Sequence, residues 1–207
     1  ESRGAMRRRL FGVRIDAMTM DDVLAACDSA IADDRRLSIG VVNAAKIVKM
    51  RRSVDLRKAV TSCDLVLADG QAVVWASRIL RQPLPERVAG IDLFERLLDR
   101  AAQRRHRVFL LGATDDVLEV ATAEALSRWP GLTVAGTRNG YFPTSESADV
   151  ARQIREAHTD LLFVGMTSPK KEIFLDEWGP TLGVKVSHGV GGSLDVLAGK
   201  VQRAPAS

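Results

Sequence analysis

Aromatic residues are scarce in this chain. They make up 5% of its 207 residues, and a single one is tyrosine. No stretch interleaves basic with aromatic side chains, so the stacking platform that single-stranded nucleic acid needs is missing, and no nucleic-acid partner is expected. Cysteine is nearly absent too. Cys27 and Cys63 have no metal-ligand spacing, and both lie in apolar helical surroundings, which predicts reduced core thiols in a cytoplasmic protein. His106, His158 and His188 likewise form no ligand pattern. No apolar run is long enough to span a membrane. There is also no Asp-x-Asp flanked by apolar strand residues. The acidic pairs Asp21-Asp22, Asp33-Asp34 and Asp115-Asp116 sit at predicted helix starts or ends, where carboxylates act as caps and dipole partners. Chemistry without a bound metal or other cofactor is therefore expected.

With 46% hydrophobic and 27% charged residues, the composition is that of a soluble globular protein, and the length suits one domain. The net charge of +4 points to an anionic substrate or an anionic membrane surface. Residues 1–5 have no periodicity and read as an expression scar. Together with Arg7-Arg8-Arg9 they make residues 1–9 a disordered basic N-terminus or tag remnant, with the folded core over 10–207. The basic run lacks the apolar core of a signal peptide.

Strand and helix patterns alternate along almost the whole chain. Thr19 and Asp22 resemble a capping box that opens a helix to about residue 32. Strands are predicted over 37–42, 65–68, 108–112, 133–136, 161–165 and 184–188. Helices are predicted after Asn43, from 54, and over 71–80, 91–104, 115–129, 145–157 and 169–178. This order predicts an α/β fold, a Rossmann-like, mostly parallel sheet with helices on both faces.

In such a sheet, ligands bind beyond the carboxyl ends of the strands. Asp69-Gly70 follows the apolar strand Leu65-Val66-Leu67, which makes Asp69 a candidate general base. Asn43, Gly112, Gly165 and Gly189 also end strands. Taken alone, Gly112 reads as a turn glycine; as part of a shared edge it joins the substrate-contacting candidates. Gly189-Val190-Gly191-Gly192, with Ser193 and a helix after it, is a plausible phosphate cradle. It is neither a Walker loop nor a full dinucleotide fingerprint. Asp195 either balances that helix's dipole or accepts from a ribose or base. Pro169-Lys170-Lys171-Glu172 opens a helix right after a strand end. Lys170 or Lys171 can meet a phosphate there and Glu172 a hydroxyl, or all three are a solvated face. Arg87 either clamps a diphosphate or pairs with Glu86 or Asp92. His188 reads as a structural histidine rather than a second acid or base.

The ordered set Val42-Asn43-Ala44, Ala68-Asp69-Gly70, Glu86-Arg87-Val88-Ala89-Gly90, Phe109-Leu110-Leu111-Gly112, Gly165 to Glu172, Gly189 to Asp195 and Gly199 to Pro205 resembles the WecG/TagA/CpsF family of bacterial glycosyltransferases. The resemblance runs from about Leu10 onward. It implies inverting, metal-independent transfer of a sugar (N-acetylmannosamine, its uronic acid or a glucose type) from a UDP-sugar to a polyprenyl-diphosphate-linked saccharide. It also implies peripheral attachment to the cytoplasmic membrane face, with a homo-oligomer open. In the family's terms Asp69 is the proposed base and Asn43 touches the sugar. Two departures stand out: Val41 replaces a threonine, and Lys171-Glu172 replaces Gln-Glu. The family also continues past Arg-Ala-Pro with a basic appendage, so residues 10–207 are expected to be a catalytic core without it.

Two other readings compete. A nicotinamide-dependent oxidoreductase predicts a glycine fingerprint after the first strand and an acidic residue after the second; here the glycine loop comes last. A non-catalytic nucleotide-binding module would keep UDP binding and have no use for a base at Asp69.

Overall fold

The structure, a computed structural model, describes residues 6–202. The expectations for residues 1–5 and for Arg203-Ala204-Pro205 lie outside them. The strands are β1 (Met6–Leu10), β2 (Val13–Ala17), β3 (Leu37–Val42), β4 (Leu65–Ala68), β5 (Arg107–Gly112), β6 (Thr133–Arg138), β7 (Leu161–Gly165) and β8 (Val186–Gly189). The helices are α1 (Met20–Ala32), α2 (Ala44–Arg52), α3 (Val54–Thr61), α4 (Gln71–Ile79), α5 (Gly90–Arg104), α6 (Asp115–Arg128), α7 (Ser147–Glu156), α8 (Lys170–Trp178) and α9 (Ser193–Leu197).

Six strands form one sheet in the order β4-β3-β8-β7-β5-β6, and every neighbouring pair is parallel. Side chains alternate between its two faces with the strand period of two. Leu65, Leu67, Val108, Leu110, Leu161 and Phe163 point into the core beneath α1, α5 and α6. Val66 and Ala68 point the other way, into the core shared with α2, α3 and α4. Phe109, Leu111, Leu162 and Val164 join the core of α7 and α8. Burial on both faces explains why these strands read as continuous apolar runs. Counted along the chain within this sheet, the strand order is 2-1-6-5-3-4. That differs from the 3-2-1-4-5-6 order of dinucleotide-binding sheets, although the layered α/β class is as expected.

The N-terminal expectation is corrected. Arg7-Arg8-Arg9 is not a disordered lead; it lies in β1, paired antiparallel with β2 through a two-residue turn. Phe11 and Gly12 both take positive φ, as a tight hairpin of this length requires. The basic strand is held by buried Asp16, which lies 3.5 Å from Arg7 Nε and 3.8 Å from Arg14 Nη2. Asp16 Oδ2 also accepts from the Val66 N–H at 2.8 Å, tying the hairpin to edge strand β4. Leu10, Val13 and Ile15 then fill the core under α2 and α4.

The Thr19 capping box forms as expected, with the Asp22 side chain reaching back to the Thr19 N–H. Ser29 donates to Asp33, at the end of α1. Thr114 and Lys200 both donate to Asp116, at the start of α6. These acidic pairs are therefore caps and surface partners. Cys27 is buried in α1, and burial pushes its thiol up to about 12. Cys63 sits in the turn between α3 and β4 rather than in a helix, and burial raises it to about 11.

Gly112 is explained by packing. Its φ is +142°, and a Cβ there would lie 2.4 Å from the Gly165 carbonyl carbon, where β5 and β7 run side by side. Gly112→Ala should destabilise the fold by about 2–4 kcal/mol, since both the conformation and the space are refused. Urea unfolding checks this. An unchanged midpoint would show that the two strands can separate without loss.

Candidate active site

Parallel strands end on one edge of the sheet, so the loops after β3, β4, β5, β7 and β8 gather there. They enclose a trough in two parts. The larger, of about 560 Å³, is lined by Asn43, Lys46, Asp69, Arg87, Gly90, Lys171, the glycine loop 189–192 and Asp195. The smaller, of about 420 Å³, lies beyond the glycine loop over β5 and β7, and its walls include Thr114, Tyr141, Met166, Thr167 and Lys170. Lys171, Gly191, Gly192 and Asp195 belong to both.

Asp69 stands at the mouth of β4. Its backbone N–H donates to the Val42 carbonyl (2.9 Å), which fixes where the side chain starts. Burial raises its carboxyl above the ordinary value, against the Gly90 N–H and the charges of Arg87 and Lys46, which work to lower it. Burial wins because these cations stand off rather than bind: Arg87 Nε lies 3.9 Å from Asp69 Oδ1, an ion pair without a hydrogen bond. Arg87, expected either to clamp a diphosphate or to pair with Glu86 or Asp92, stands beside Asp69.

Gly90, the first residue of α5, links two buried groups. Its N–H meets Asp69, and its carbonyl lies 3.0 Å from His188 Nε2. A carbonyl only accepts, so Nε2 carries the proton. His188 is fully buried, and burial pushes it down to about 4, leaving a neutral ring at neutral pH. It is the structural histidine expected, and it holds the carbonyl of the residue whose N–H meets Asp69. A Cβ at Gly90 would sit 3.2 Å from Asp69 Oδ2, so a side chain there would crowd the carboxylate.

Beneath the cleft lies a group of charges that sequence reasoning only half saw. Glu172 Oε1 meets Lys46 Nζ at 3.0 Å and Lys171 Nζ at 3.3 Å. Lys46 Nζ also donates to the Val41 carbonyl at 2.9 Å. Burial works to raise Glu172, but the two ammonium groups outweigh it and hold the carboxyl below its ordinary range. Burial and neighbouring Lys46 lower Lys171. The triad separates the cleft from a partly open pocket of about 180 Å³ whose walls include Ser38, Cys63 and Asp176. The expectation for Glu172 is corrected: it does not line the trough, and it anchors lysines instead of offering itself to a hydroxyl.

Lys46 was missed. It stands one helical turn after Asn43, whose side-chain oxygen caps α2 by accepting from the Lys46 N–H at 2.8 Å. The spacing from a strand-ending asparagine to a lysine was the available signal. Lys170 is also corrected. Its ammonium is bound to the carbonyls of Gly140 (2.8 Å) and Phe142 (2.6 Å) and lies over the Phe142 ring, so it ties the loop beside the smaller trough rather than awaiting a phosphate. Gly112 lines neither part. In the glycine loop, Gly191 has φ +55°, and a Cβ on either Gly191 or Gly192 would meet nothing within 4 Å. Helix α9 has five residues, too short for a strong dipole, so any anion grip must come from the loop amides. Among the described residues no group of three or more His, Cys, Asp or Glu is placed to hold a metal ion, and no helix is long and apolar enough to cross a membrane.

The family model described as "Glycosyl transferase WecG/TagA/CpsF family" matches residues 8–207. Relatives named N-acetylglucosaminyldiphosphoundecaprenol N-acetyl-beta-D-mannosaminyltransferase are similar to this chain. The one from Bacillus spizizenii is 37% identical over 70% of this chain and 56% of its own length. The Bacillus subtilis relative is 36% identical over 73% and 58%, and a Staphylococcus aureus relative 38% over 70% and 57%. The match thus spans little more than half the length of these relatives.

Removing Lys46 should show what the triad contributes. Lys46→Met leaves Glu172 with one cation and should cost about 2–3 kcal/mol at neutral pH, less than for a buried carboxylate left with no partner. Because the folded carboxyl sits below its unfolded value, this contribution is fully present above the ordinary glutamate value of 4.5 and is lost as the pH falls through the lower folded value. Denaturant titrations of wild type and variant should converge on acidification. A pH-independent gap would mean that the lost lysine stem, not the charge, is responsible.

Proposed function

The chain belongs to the WecG/TagA/CpsF glycosyltransferase family, and from that premise we propose that it is the catalytic core of an inverting enzyme of cell-surface polysaccharide synthesis. It would move a sugar of the N-acetylmannosamine, uronic acid or glucose type from a UDP-sugar to a polyprenyl-diphosphate-linked saccharide at the cytoplasmic face of the membrane. The observation that carries this reading is the placement of Asp69, a half-buried carboxylate with a raised pKa, inside a cleft walled by cations and a glycine loop.

The chemistry follows from that arrangement. Asp69 accepts the proton of the acceptor hydroxyl as its oxygen attacks the anomeric carbon. The bond from that carbon to the UDP oxygen breaks on the opposite face, so one displacement inverts the centre. The leaving diphosphate gathers negative charge. Lys171, Lys46, Arg87 and the amides of the 189–192 loop surround the space it would occupy, already oriented by Glu172 and the sheet. These side chains supply positive charge themselves, which supports a reaction with neither metal nor other cofactor. Asn43 Oδ1 is committed to its helix cap, leaving the Nδ2 amide for a sugar hydroxyl. Asp195, shared by both parts of the trough, suits a ribose hydroxyl. Val41 and Lys171, the two departures from the family pattern, line the same wall as Asp69, where a donor sugar would be told from its analogues.

Asp69→Asn keeps the shape and removes the base. Transfer should fall by roughly two to four orders of magnitude with UDP affinity nearly intact. The base works deprotonated, so wild-type kcat/KM should fall on acidification along a limb set above the ordinary aspartate value of 3.8, and the variant should lose that limb. Near-normal turnover in the variant would defeat the assignment. UDP binding without transfer by the wild type would instead favour a non-catalytic nucleotide-binding module.

Gly192 has φ −80°, and a Cβ added there would meet nothing within 4 Å, so a side chain at this position strains nothing in the protein. Gly192→Val should keep wild-type stability while UDP affinity, read by calorimetry, drops by about tenfold, equivalent to ~1.4 kcal/mol. Unchanged affinity would show that the loop is only a turn.

A further inference from the structure

Helix α4 buries Val73, Val74 and Ser77 and turns the opposite stripe outward. Trp75 is 60% exposed, Ile79 82%, and Leu80, just past the helix, 49%. Ala72, Trp75 and Ile79 follow helical spacing, so they share one face. Across residues 70–85 there is no aspartate or glutamate; the charged residues are Arg78 and Arg81, both exposed. The basic strand lies alongside: the Arg9 N–H donates to Gln82 Oε1 at 3.0 Å, bringing exposed Arg7 and Arg9 to the same side. Phe11, at the hairpin turn, is 41% exposed.

We propose that this face, formed by the outer side of α4 and the β1–β2 hairpin, is the surface on which the protein docks to an anionic bilayer. A tryptophan flanked by aliphatic residues suits the headgroup boundary. Arginines beside it can lay their stems on the apolar stripe and put their guanidinium groups among lipid phosphates. A second copy of the chain fits poorly, because a two-fold contact would set this basic face against itself. Helix α4 starts two residues after Asp69, so Trp75 lies roughly 8 Å along the helix from the cleft edge. Docking would hold the cleft near the headgroup level. That advantage rests on the lipid-linked acceptor proposed above; the binding itself does not.

Co-sedimentation with phosphatidylcholine vesicles, pure or one-third phosphatidylglycerol, tests the surface with no sugar present. The wild-type chain should bind the anionic vesicles preferentially and release them at high salt. Arg78→Gln with Arg81→Gln should weaken binding about 25-fold at low salt, fivefold per charge. Trp75→Ser with Ile79→Ser should weaken it about tenfold at any salt. Val120→Ser with Leu126→Ser, exposed apolar positions on α6, should change nothing. Lipids with brominated chains should quench wild-type fluorescence more than that of Trp75→Phe. Circular dichroism would verify that each variant is folded. The proposal is overturned if the folded α4 variants bind like wild type, or if neutral vesicles bind equally well. It is also overturned if the α4 changes dissociate an oligomer in sedimentation velocity and leave vesicle binding intact. Transfer to a short-chain, water-soluble acceptor separates the two readings. Its absence in wild type with vesicle binding as expected would reject the enzymatic reading alone; its persistence with no wild-type vesicle binding would reject the docking surface alone.

Discussion

Parallel pairing is the constraint on which the rest of this molecule depends. Strands that all run one way must return by helices, and the helices bury both faces of the sheet. Every strand then ends on the same edge. Asn43, Asp69, Gly165 and the 189–192 loop come from distant parts of the chain and meet because β3, β4, β7 and β8 stop at the same level. The central strand β8 delivers the glycine loop between the two parts of the trough, and Gly112 lets β7 approach β5 closely enough to keep that edge continuous.

On this frame sits an electrostatic arrangement of opposing pulls. Asp69 is desolvated enough for its carboxyl to be raised, yet Arg87 and the Gly90 N–H stand near it. His188, kept neutral by full burial, fixes the Gly90 peptide without adding charge. One layer lower, Glu172 gathers Lys46 and Lys171, so that two ammonium groups share one carboxylate beneath the cleft. Both lysines also line the larger part of the trough, so the excess positive charge borders it. Charges held this way need no reorganisation when an anion forms, which is what a transfer to or from a nucleoside diphosphate asks of its surroundings.

Much of the fold was legible in the residues. The apolar runs of β4, β5 and β7, the capping box at Thr19 and the asparagine cap at 43 are local signals, and each produced its element near its expected bounds. The hairpin was not legible. Arg7-Arg8-Arg9 reads as a solvated tail until Asp16 is known to be buried against Val66 and to neutralise part of it. The site was half legible. Asp69, Arg87, Lys171, Asp195 and the glycine loop do line one cleft, whereas for Lys170, Glu172 and Gly112, each of which the sequence left open to a structural reading, the fold shows structural contacts. Lys170 spends its donors on backbone carbonyls, Glu172 on two lysines, and Gly112 on strand contact.

The sequence by itself determined the layered α/β class, the strand-end position of Asp69 and the loop character of residues 189–192. These depend on hydrophobic period, chain direction and glycine content, all properties of a few neighbouring residues. Only the tertiary structure decided which charges face the cleft and which are consumed in holding it. Lys46 and Glu172 are 126 positions apart and Gly90 and His188 are 98 apart. Their hydrogen bonds, the rise in Asp69's carboxyl and the fall in His188's ring come from burial that exists only once the sheet has closed. No local pattern can carry that information, because the free energy of a charge is set by what surrounds it in space.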